Sequence, residues 1–133
     1  MKRPSVRETM DTNTHSVAPE LPILEAITAL IDSGVTGVPV VDAQGAVLGI
    51  LSEEHCLKLL AAGDAKGDRP TGVVGSYLDA SVPRVSPEMD VYYVAGMFLA
   101  HLQHRRFAVV ENGKLVGVIT RKDILKVLRK LYT

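Results

Sequence analysis

Thr120 and Asp123 stand three residues apart at the predicted start of the last helix of the chain. Free backbone N–H groups and the positive end of the helix dipole meet at such a position and favour an anion such as a phosphate. A carboxylate there can also accept hydrogen bonds from two adjacent hydroxyl groups. Arg121 and Lys122 place positive charge beside this pair. The same Thr-x-x-Asp spacing is nearly a capping box, so we expect Thr120 to cap the helix in any case.

The chain repeats itself at a separation of 68 residues, so that Gly49-Ile50-Leu51-Ser52 recurs as Gly117-Val118-Ile119-Thr120. A repeat of this length is too long for a solenoid unit and fills the chain only twice. It predicts two pseudosymmetric copies, 6–62 and 73–132, joined by a polar linker at 63–72 and carrying one candidate pocket each.

Bulk composition excludes several classes of protein. Hydrophobic content is 47% and charged content 23%, which predicts a folded chain of 133 residues. Fifteen basic and fifteen acidic residues give zero net charge, which argues against a nucleic acid partner bound through a strongly basic face and leaves a local basic patch open. The single Cys56 cannot form an internal disulfide, and no apolar run suits a signal peptide or a bilayer span. We therefore expect a cytoplasmic protein without a membrane partner.

Hydrophobic periodicity gives both copies the same order of elements, which is a lead-in segment, a helix, two strands and a second helix. This order predicts an α+β fold. On the first helix of the second copy, we expect the apolar residues Val91, Val94, Ala95, Phe98, Leu99 and Leu102 to face inward. The predicted elements are a helix from Pro19 to Ser33, strands 37–42 and 46–51, a helix after Ser52, a helix at 88–103, strands 106–111 and 114–119, and a helix at 121–131.

This order, with Gly-Val-Pro-Val-Val-Asp at 37–42 and Gly-Val-Ile-Thr-Arg-Lys-Asp at 117–123, resembles the cystathionine beta-synthase (CBS) domain. Two such domains in tandem resemble a Bateman module, and the resemblance covers the chain from about Val6 to Tyr132. It implies that the sheets of the two repeats pack together and leave two clefts. In that family the clefts commonly bind AMP, ADP, ATP or S-adenosylmethionine, and sometimes cyclic dinucleotides.

The family's ribose–phosphate motif is a glycine, an apolar residue, any residue, an apolar residue, Ser or Thr, two further residues and Asp. The second copy matches it through Gly117, Thr120 and Asp123, with Val118 beside the glycine. The resemblance implies that Asp123 binds the ribose hydroxyls and Thr120 the phosphate region. Gly117 lacks a side chain where a ligand could need to approach the backbone.

The first copy departs from the motif, because His55 stands where Asp is expected after Gly49 and Ser52. Glu53 and Glu54 also replace the two basic residues, and carboxylates there repel a phosphate. Neutral imidazole is a poorer hydrogen-bond acceptor than a carboxylate. We predict that this second, degenerate cleft binds a nucleotide more weakly, or binds something else. The alternative is that His55 is a partly buried helix residue without a ligand.

In the family each cleft borrows a wall from the other repeat. The resemblance assigns Val35, Thr36, Pro39 and the lead-in residue Thr12 to the Asp123 cleft. The residues that it assigns to the Ser52 cleft, where a cationic cluster could offset Glu53 and Glu54, are Ala80, His104, Arg105 and Arg106. A solvated loop is an equally good interpretation of the cluster.

Two hypotheses of function follow. The first is a regulatory, non-enzymatic module that binds an adenosyl ligand at Thr120 and Asp123, requires no cofactor or metal, and signals to an effector protein in trans. The second is a structural module with vestigial clefts, which dimerises through the helices near 22–33 and 88–103. We expect a homodimer, as modules of this family pair into disks.

Overall fold

The computed structural model describes residues 3–61 and 70–133. The chain divides into two compact units. We call His15–Ser81 the Ser52 unit, and Met1–Thr14 together with Val82–Thr133 the Thr120 unit. Of the predicted linker at 63–72, residues 63–69 lie outside the described part of the chain.

Eleven elements occur in the described residues, ten of them labelled and one a short 3₁₀ helix. Their order, with a mixture of helices and strands, confirms the predicted α+β class. In chain order they are α1 (Val6–Thr9), α2 (Ile23–Ser33), β1 (Gly37–Val41), β2 (Val47–Ser52), α3 (Glu53–Ala61), the 3₁₀ helix (Val74–Ser76), β3 (Arg84–Val85), α4 (Val91–Ala100), β4 (Arg106–Glu111), β5 (Lys114–Thr120) and α5 (Arg121–Leu131).

The Ser52 unit is built on the antiparallel hairpin of β1 and β2. Its buried core combines apolar residues of α2, both strands and the 3₁₀ helix: Ile23, Ala26, Leu30, Val38, Val40, Leu51 and Val74. Burial of these side chains holds β2 in place, so that Ser52 at its end leads directly into α3.

The Thr120 unit is built on three strands in the order β3-β4-β5, with β3 parallel to β4 and β5 antiparallel to it. Phe98 of α4 stacks on Phe107 of β4 with ring centroids 4.1 Å apart. This contact anchors α4 on the sheet beside the strand that ends in Thr120.

Each lead-in segment packs in the unit formed by the other copy. Asp11 exchanges both backbone hydrogen bonds with Val118 on β5, and Asp79 exchanges both with Ile50 on β2. Arg7 adds ion pairs to Glu88 and Glu111 in the Thr120 unit. The compact units therefore do not coincide with the sequence repeats, because the pairing partner of each lead-in lies in the other copy.

Some predicted boundaries and orientations were wrong. The first long helix begins at Ile23 after Pro22, and α4 covers Val91–Ala100 and not 88–103. Val91, Val94 and Phe98 are buried as expected, whereas Leu99 and Leu102 are exposed by 74% and 66%. A bilayer-crossing segment does not occur among the helices of 3–61 and 70–133, since each is too short or too polar.

Candidate functional site

The first turn of α5 is closed by a reciprocal capping box. The Thr120 hydroxyl accepts from the Asp123 N–H at 3.2 Å, and the Asp123 carboxylate accepts from the Thr120 N–H at 2.9 Å. The predicted capping role of Thr120 is confirmed. The two bonds also fix the orientation of the carboxylate, because they tie it to the end of β5.

Capping leaves acceptor capacity on Asp123. Its oxygen Oδ2 receives the Thr120 N–H, while Oδ1 receives no hydrogen bond from the described part of the chain. A carboxylate has about four lone-pair positions on its two oxygens. The half-buried Asp123 can therefore cap α5 and still accept from hydroxyl groups of a ligand.

His55 occupies the equivalent position in the Ser52 unit and makes an equivalent cap. Its Nδ1 accepts from the Ser52 N–H at 3.2 Å and lies 2.7 Å from the Ser52 hydroxyl, which in turn accepts from the His55 N–H at 3.4 Å. Imidazole thus replaces the carboxylate in the helix cap. The substitution changes what the position offers to a ligand and leaves the local fold intact.

The hydrogen-bond partner determines which ring nitrogen of His55 carries the proton. A backbone N–H can only donate, so Nδ1 must be the acceptor, and the neutral ring then carries its proton on Nε2. The remaining ring nitrogen of His55 is therefore a donor, where the remaining oxygen of Asp123 is an acceptor. The two side chains therefore cannot make the same hydrogen bond to a hydroxyl group of a ligand. His55 would donate to the hydroxyl oxygen, whereas Asp123 would accept the hydroxyl hydrogen.

The charges around the two caps differ as the sequence indicates. Glu53 and Glu54 are exposed in the first turn of α3, and Glu54 pairs with Lys58 at 3.6 Å. In the other unit Lys122 is exposed. Arg121 is half-buried, and its guanidinium donates to the carbonyl oxygens of Leu102 and His104. The positive charge available at the start of α5 therefore comes chiefly from Lys122.

Gly117 and Val118 are both buried, and the lead-in packs against them. A Cβ atom on Gly117 would lie 2.6 Å from Sδ of Met10 and 3.1 Å from the Asp11 carbonyl oxygen. Packing alone thus favours glycine here, and direct ligand contacts of Gly117 and Val118 stay predictions. Thr12 follows Asp11 on the same segment and is exposed in the Thr120 unit.

The other predicted site residues divide between the units. Val35 and Thr36 are half-buried and Pro39 is fully buried in the Ser52 unit, where Ala80 is exposed. In the Thr120 unit Arg105 is exposed, and His104 and Arg106 are half-buried. The structure therefore places Ser52, His55 and Ala80 in one unit, and Thr12, Thr120 and Asp123 in the other.

Sequence reasoning missed the lead-in residues Asp11 and Asp79, which pair with the strands next to the caps. A signal was present in the sequence, because both are aspartates at the repeat distance of 68 residues. In the structure both carboxylates accept the N–H of the residue two positions on, Asn13 and Ser81.

Three further side chains that could carry chemistry are those of Cys56, His101 and His104. Burial raises the pKa of the Cys56 thiol, with a smaller contribution from the charge of Glu53. The rings of His101 and His104 lie 6.2 Å apart in the turn after α4. Within 3–61 and 70–133, no three His, Cys, Asp or Glu side chains gather into a group that could hold a metal ion.

Both units expose leucines along a pair of helices. A groove of about 600 Å³ runs between α2 and α3, where Leu57 and Leu60 are exposed by 63% and 78%. A groove of about 300 Å³ lies between α4 and α5 and includes Leu99, Leu102 and Leu125. Leu99 and Leu102, which were predicted to face inward, line this exposed groove and do not join the buried core.

Comparisons with known proteins agree with this architecture. The family model for the CBS domain matches residues 6–62 and 74–130. The CBS domain-containing protein YhcV of Bacillus subtilis is 30% identical over 121 residues, which are 90% of this chain and 82% of that protein. The A-adding tRNA nucleotidyltransferase of Aquifex aeolicus is 28% identical over 94% of this chain. The chain spans only 14% of the length of that enzyme.

Solved structures give the same result. The crystal structure of CBSX2 in complex with AMP has a TM-score of 0.84 and 26% identity, covering 98% of this chain and 99% of that chain. The CBS domain pair of protein MJ0100, solved with 5′-methylthioadenosine and S-adenosyl-L-methionine, has a TM-score of 0.84 at 20% identity, covering 98% and 99%. With two matched repeats and a matching fold, the chain belongs to the CBS domain family and carries two CBS domains in tandem, a Bateman module.

Proposed function

We propose that the protein is a regulatory CBS pair that binds an adenosyl ligand, AMP, ADP, ATP or S-adenosylmethionine, at the start of α5. Asp123 accepts from the ribose hydroxyls, Thr120 and the free amides of the first turn lie toward the phosphate, and Lys122 supplies positive charge. Ligand binding is read by an effector protein in trans. The ligand and the effector protein then change each other's affinity for this protein by the same factor.

One observation carries the proposal, namely the Asp123 carboxylate held in a fixed orientation with an oxygen left over. Because the carboxylate is already oriented, less conformational entropy is lost when a ligand binds to it. The AMP complex of the similar CBSX2 pair supports the choice of ligand class. The wall residues Val35, Thr36 and Pro39 remain predictions from the family resemblance.

Thermal and urea unfolding with AMP, ADP, ATP and S-adenosylmethionine tests this function. A single site at 100 times its dissociation constant adds about 2.7 kcal/mol to the free energy of unfolding. In Asp123→Asn the amide oxygen still accepts from the Thr120 N–H, whereas an NH₂ group replaces the oxygen that faces the ligand. We expect this variant to keep its stability and lose the ligand effect.

His55→Asn is the matched control, since it places the same side chain at the same position of the other cap. We expect AMP to stabilise this variant as it stabilises the wild type. An unchanged AMP effect in Asp123→Asn would remove Asp123 from the site. No stabilisation by any of the four compounds would leave the structural module as the better hypothesis.

The exposed leucines of the two grooves favour a second activity, self-association, which is common to both hypotheses. We propose that a second copy covers these helices and forms a homodimer, because contiguous apolar surface of this kind marks interaction sites. Sedimentation of Leu99→Glu and Leu57→Glu tests the proposal, with the exposed Lys126→Glu as the charge control. A wild type that sediments as a monomer at all concentrations would contradict it.

A further inference from the structure

Arg121, the first residue of α5, turns its side chain back to the loop that ends α4. Nη2 donates to the carbonyl oxygens of Leu102 and His104, the latter at 2.9 Å. The guanidinium carbon lies 5.9 Å from the centre of the Phe98 ring. Nε of Arg121 is buried, and no group in the described residues bonds to it. A buried N–H without a partner is costly, so the Nη2 bonds must hold the side chain here.

The helix α4 ends without a glycine, at His101, whose N–H bonds to the carbonyl oxygens of Met97 and Phe98. In the first copy Gly34 adopts a left-handed conformation with φ of 68°, and its N–H bonds to the carbonyl oxygens of Leu30 and Ile31. Such a residue closes a helix with backbone bonds alone. After α4, residues 101–105 contain no glycine, and a side chain from α5 satisfies two of the loop carbonyls.

The equivalent position in the first copy is Glu53, whose side chain has no donor group. There the backbone N–H of Glu53 bonds to the Thr36 carbonyl oxygen at 2.8 Å. A backbone bond of this kind is available to any residue except proline. In the second copy Thr120 pairs with Arg106 in the β4–β5 ladder, and the additional side-chain link to the preceding loop depends on the identity of residue 121, since a guanidinium can donate to two acceptors at once.

We propose that Arg121 is a positioning residue that couples the first turn of α5, with Thr120 and Asp123, to the loop that contains His104 and Arg105. A ligand that fixes the first turn also fixes the loop and so changes the affinity of the loop for a second molecule. That second molecule changes the affinity for the ligand by the same factor. The proposal deepens the proposed function and rests on it for the identity of the ligand. The mechanical coupling within the Thr120 unit needs no ligand.

Amide hydrogen exchange of the ligand-free protein tests that coupling. The His104 N–H bonds to the His101 carbonyl oxygen at 3.0 Å and reports opening of the loop. Thr120→Ala loosens the other end of the link, so we expect the His104 amide to exchange roughly fivefold faster, the lower end of typical coupling between sites. In an Arg121→Gln background Thr120→Ala should have no further effect.

Arg121→Lys keeps the charge and a donor, so we expect Thr120→Ala to have a partial effect in this background, between those in the wild-type and Arg121→Gln backgrounds. Glu53→Gln places the same amide at the equivalent position of the other copy and should leave the Thr120→Ala effect unchanged. Equal acceleration with and without Arg121, or no acceleration in the wild-type background, would overturn the inference. Should Arg121→Gln fail to fold, the comparison of Arg121→Lys with wild type decides in the same way.

Addition of AMP forms a separate arm of the experiment. In the wild type we expect slower exchange at both the Asp123 and the His104 amides, and in Arg121→Gln at the Asp123 amide alone. Protection that is absent at Asp123 would contradict the proposed function and leave the ligand-free result to decide the coupling. Protection at His104 that survives Arg121→Gln would contradict the coupling and leave the function standing.

Discussion

The Ser52 and Thr120 units solve the same local problem with different side chains. Both cap a helix that follows a strand, and both use a hydroxyl residue with an acceptor three positions later. In one unit the acceptor is the Nδ1 atom of His55, and in the other it is a carboxylate oxygen of Asp123. Departure of the first copy from the family motif therefore does not disturb the fold of its helix.

This comparison separates the structural requirement from the functional one. The reciprocal bond of the capping box needs one acceptor atom at the third helical position, which either side chain supplies. In the proposed function, ribose recognition depends on the second polar atom of the same side chain, a donor in His55 and an acceptor in Asp123. A retained cap is thus no evidence for a retained ligand site.

Exchange of the two side chains gives the largest expected effect. Asp123→His should keep α5 capped in the manner of His55 and remove the AMP stabilisation of about 2.7 kcal/mol expected at 100 times the dissociation constant. The triple variant His55→Asp, Glu53→Arg and Glu54→Lys should create a second AMP equivalent, measured by isothermal titration calorimetry. Undiminished AMP binding in Asp123→His would mean that the comparison of the caps does not explain ligand choice.

Substitution of the two repeated glycines should destabilise the units unequally. A Cβ on Gly49 would lie 2.5 Å from the backbone oxygen of Asp79, whereas on Gly117 it would first meet the flexible side chain of Met10 at 2.6 Å. Overpacking costs about 1–3 kcal/mol, and we expect Gly49→Ala near the top of this range and Gly117→Ala near the bottom. Urea unfolding measures both, and the reverse order would contradict this view of the lead-in contacts.

Removal of the capping hydroxyls should have a smaller effect in both copies. Thr120→Ala should lower the free energy of unfolding by about 1 kcal/mol, as is typical of a lost N-cap. Ser52→Ala should cost somewhat less, because its bond to the third helical N–H is longer, 3.4 Å against 3.2 Å. Thr120→Ser serves as the control that keeps the hydroxyl, and a loss of stability as large as that of Thr120→Ala would contradict the capping role.

The smallest expected effect concerns Cys56, which stands where the second copy has Ile124. Since burial raises its pKa, the thiol should react with iodoacetamide more slowly than a free cysteine at neutral pH. The raised pKa contributes stability that is complete below the ordinary thiol pKa and is lost as the pH rises through the raised value. Glu53→Gln should speed the reaction slightly, and a rate equal to that of free cysteine would refute the effect of burial.

Much of the fold was predictable because its signals are local or periodic. The repeat at 68 residues is a periodic signal, whereas the turn at 112–113 between β4 and β5 and the Thr120 cap depend on residues close in sequence. The boundaries of α4 were less predictable, because apolar residues that remain exposed continue its periodicity into Leu102. For the site, the sequence identified the capping residues and the charge difference, and it missed the lead-in contacts.

By itself the sequence determined the duplicated order of elements, the two caps and the loss of the aspartate in the first copy. These depend on hydrogen bonds over three residues and on side-chain chemistry, which are readable without coordinates. The tertiary structure decided which unit each lead-in joins, where the Arg121 guanidinium goes and which leucines stay exposed. Such contacts join residues far apart in the chain, 17 residues for Arg121 and His104, and follow from packing that local patterns do not specify.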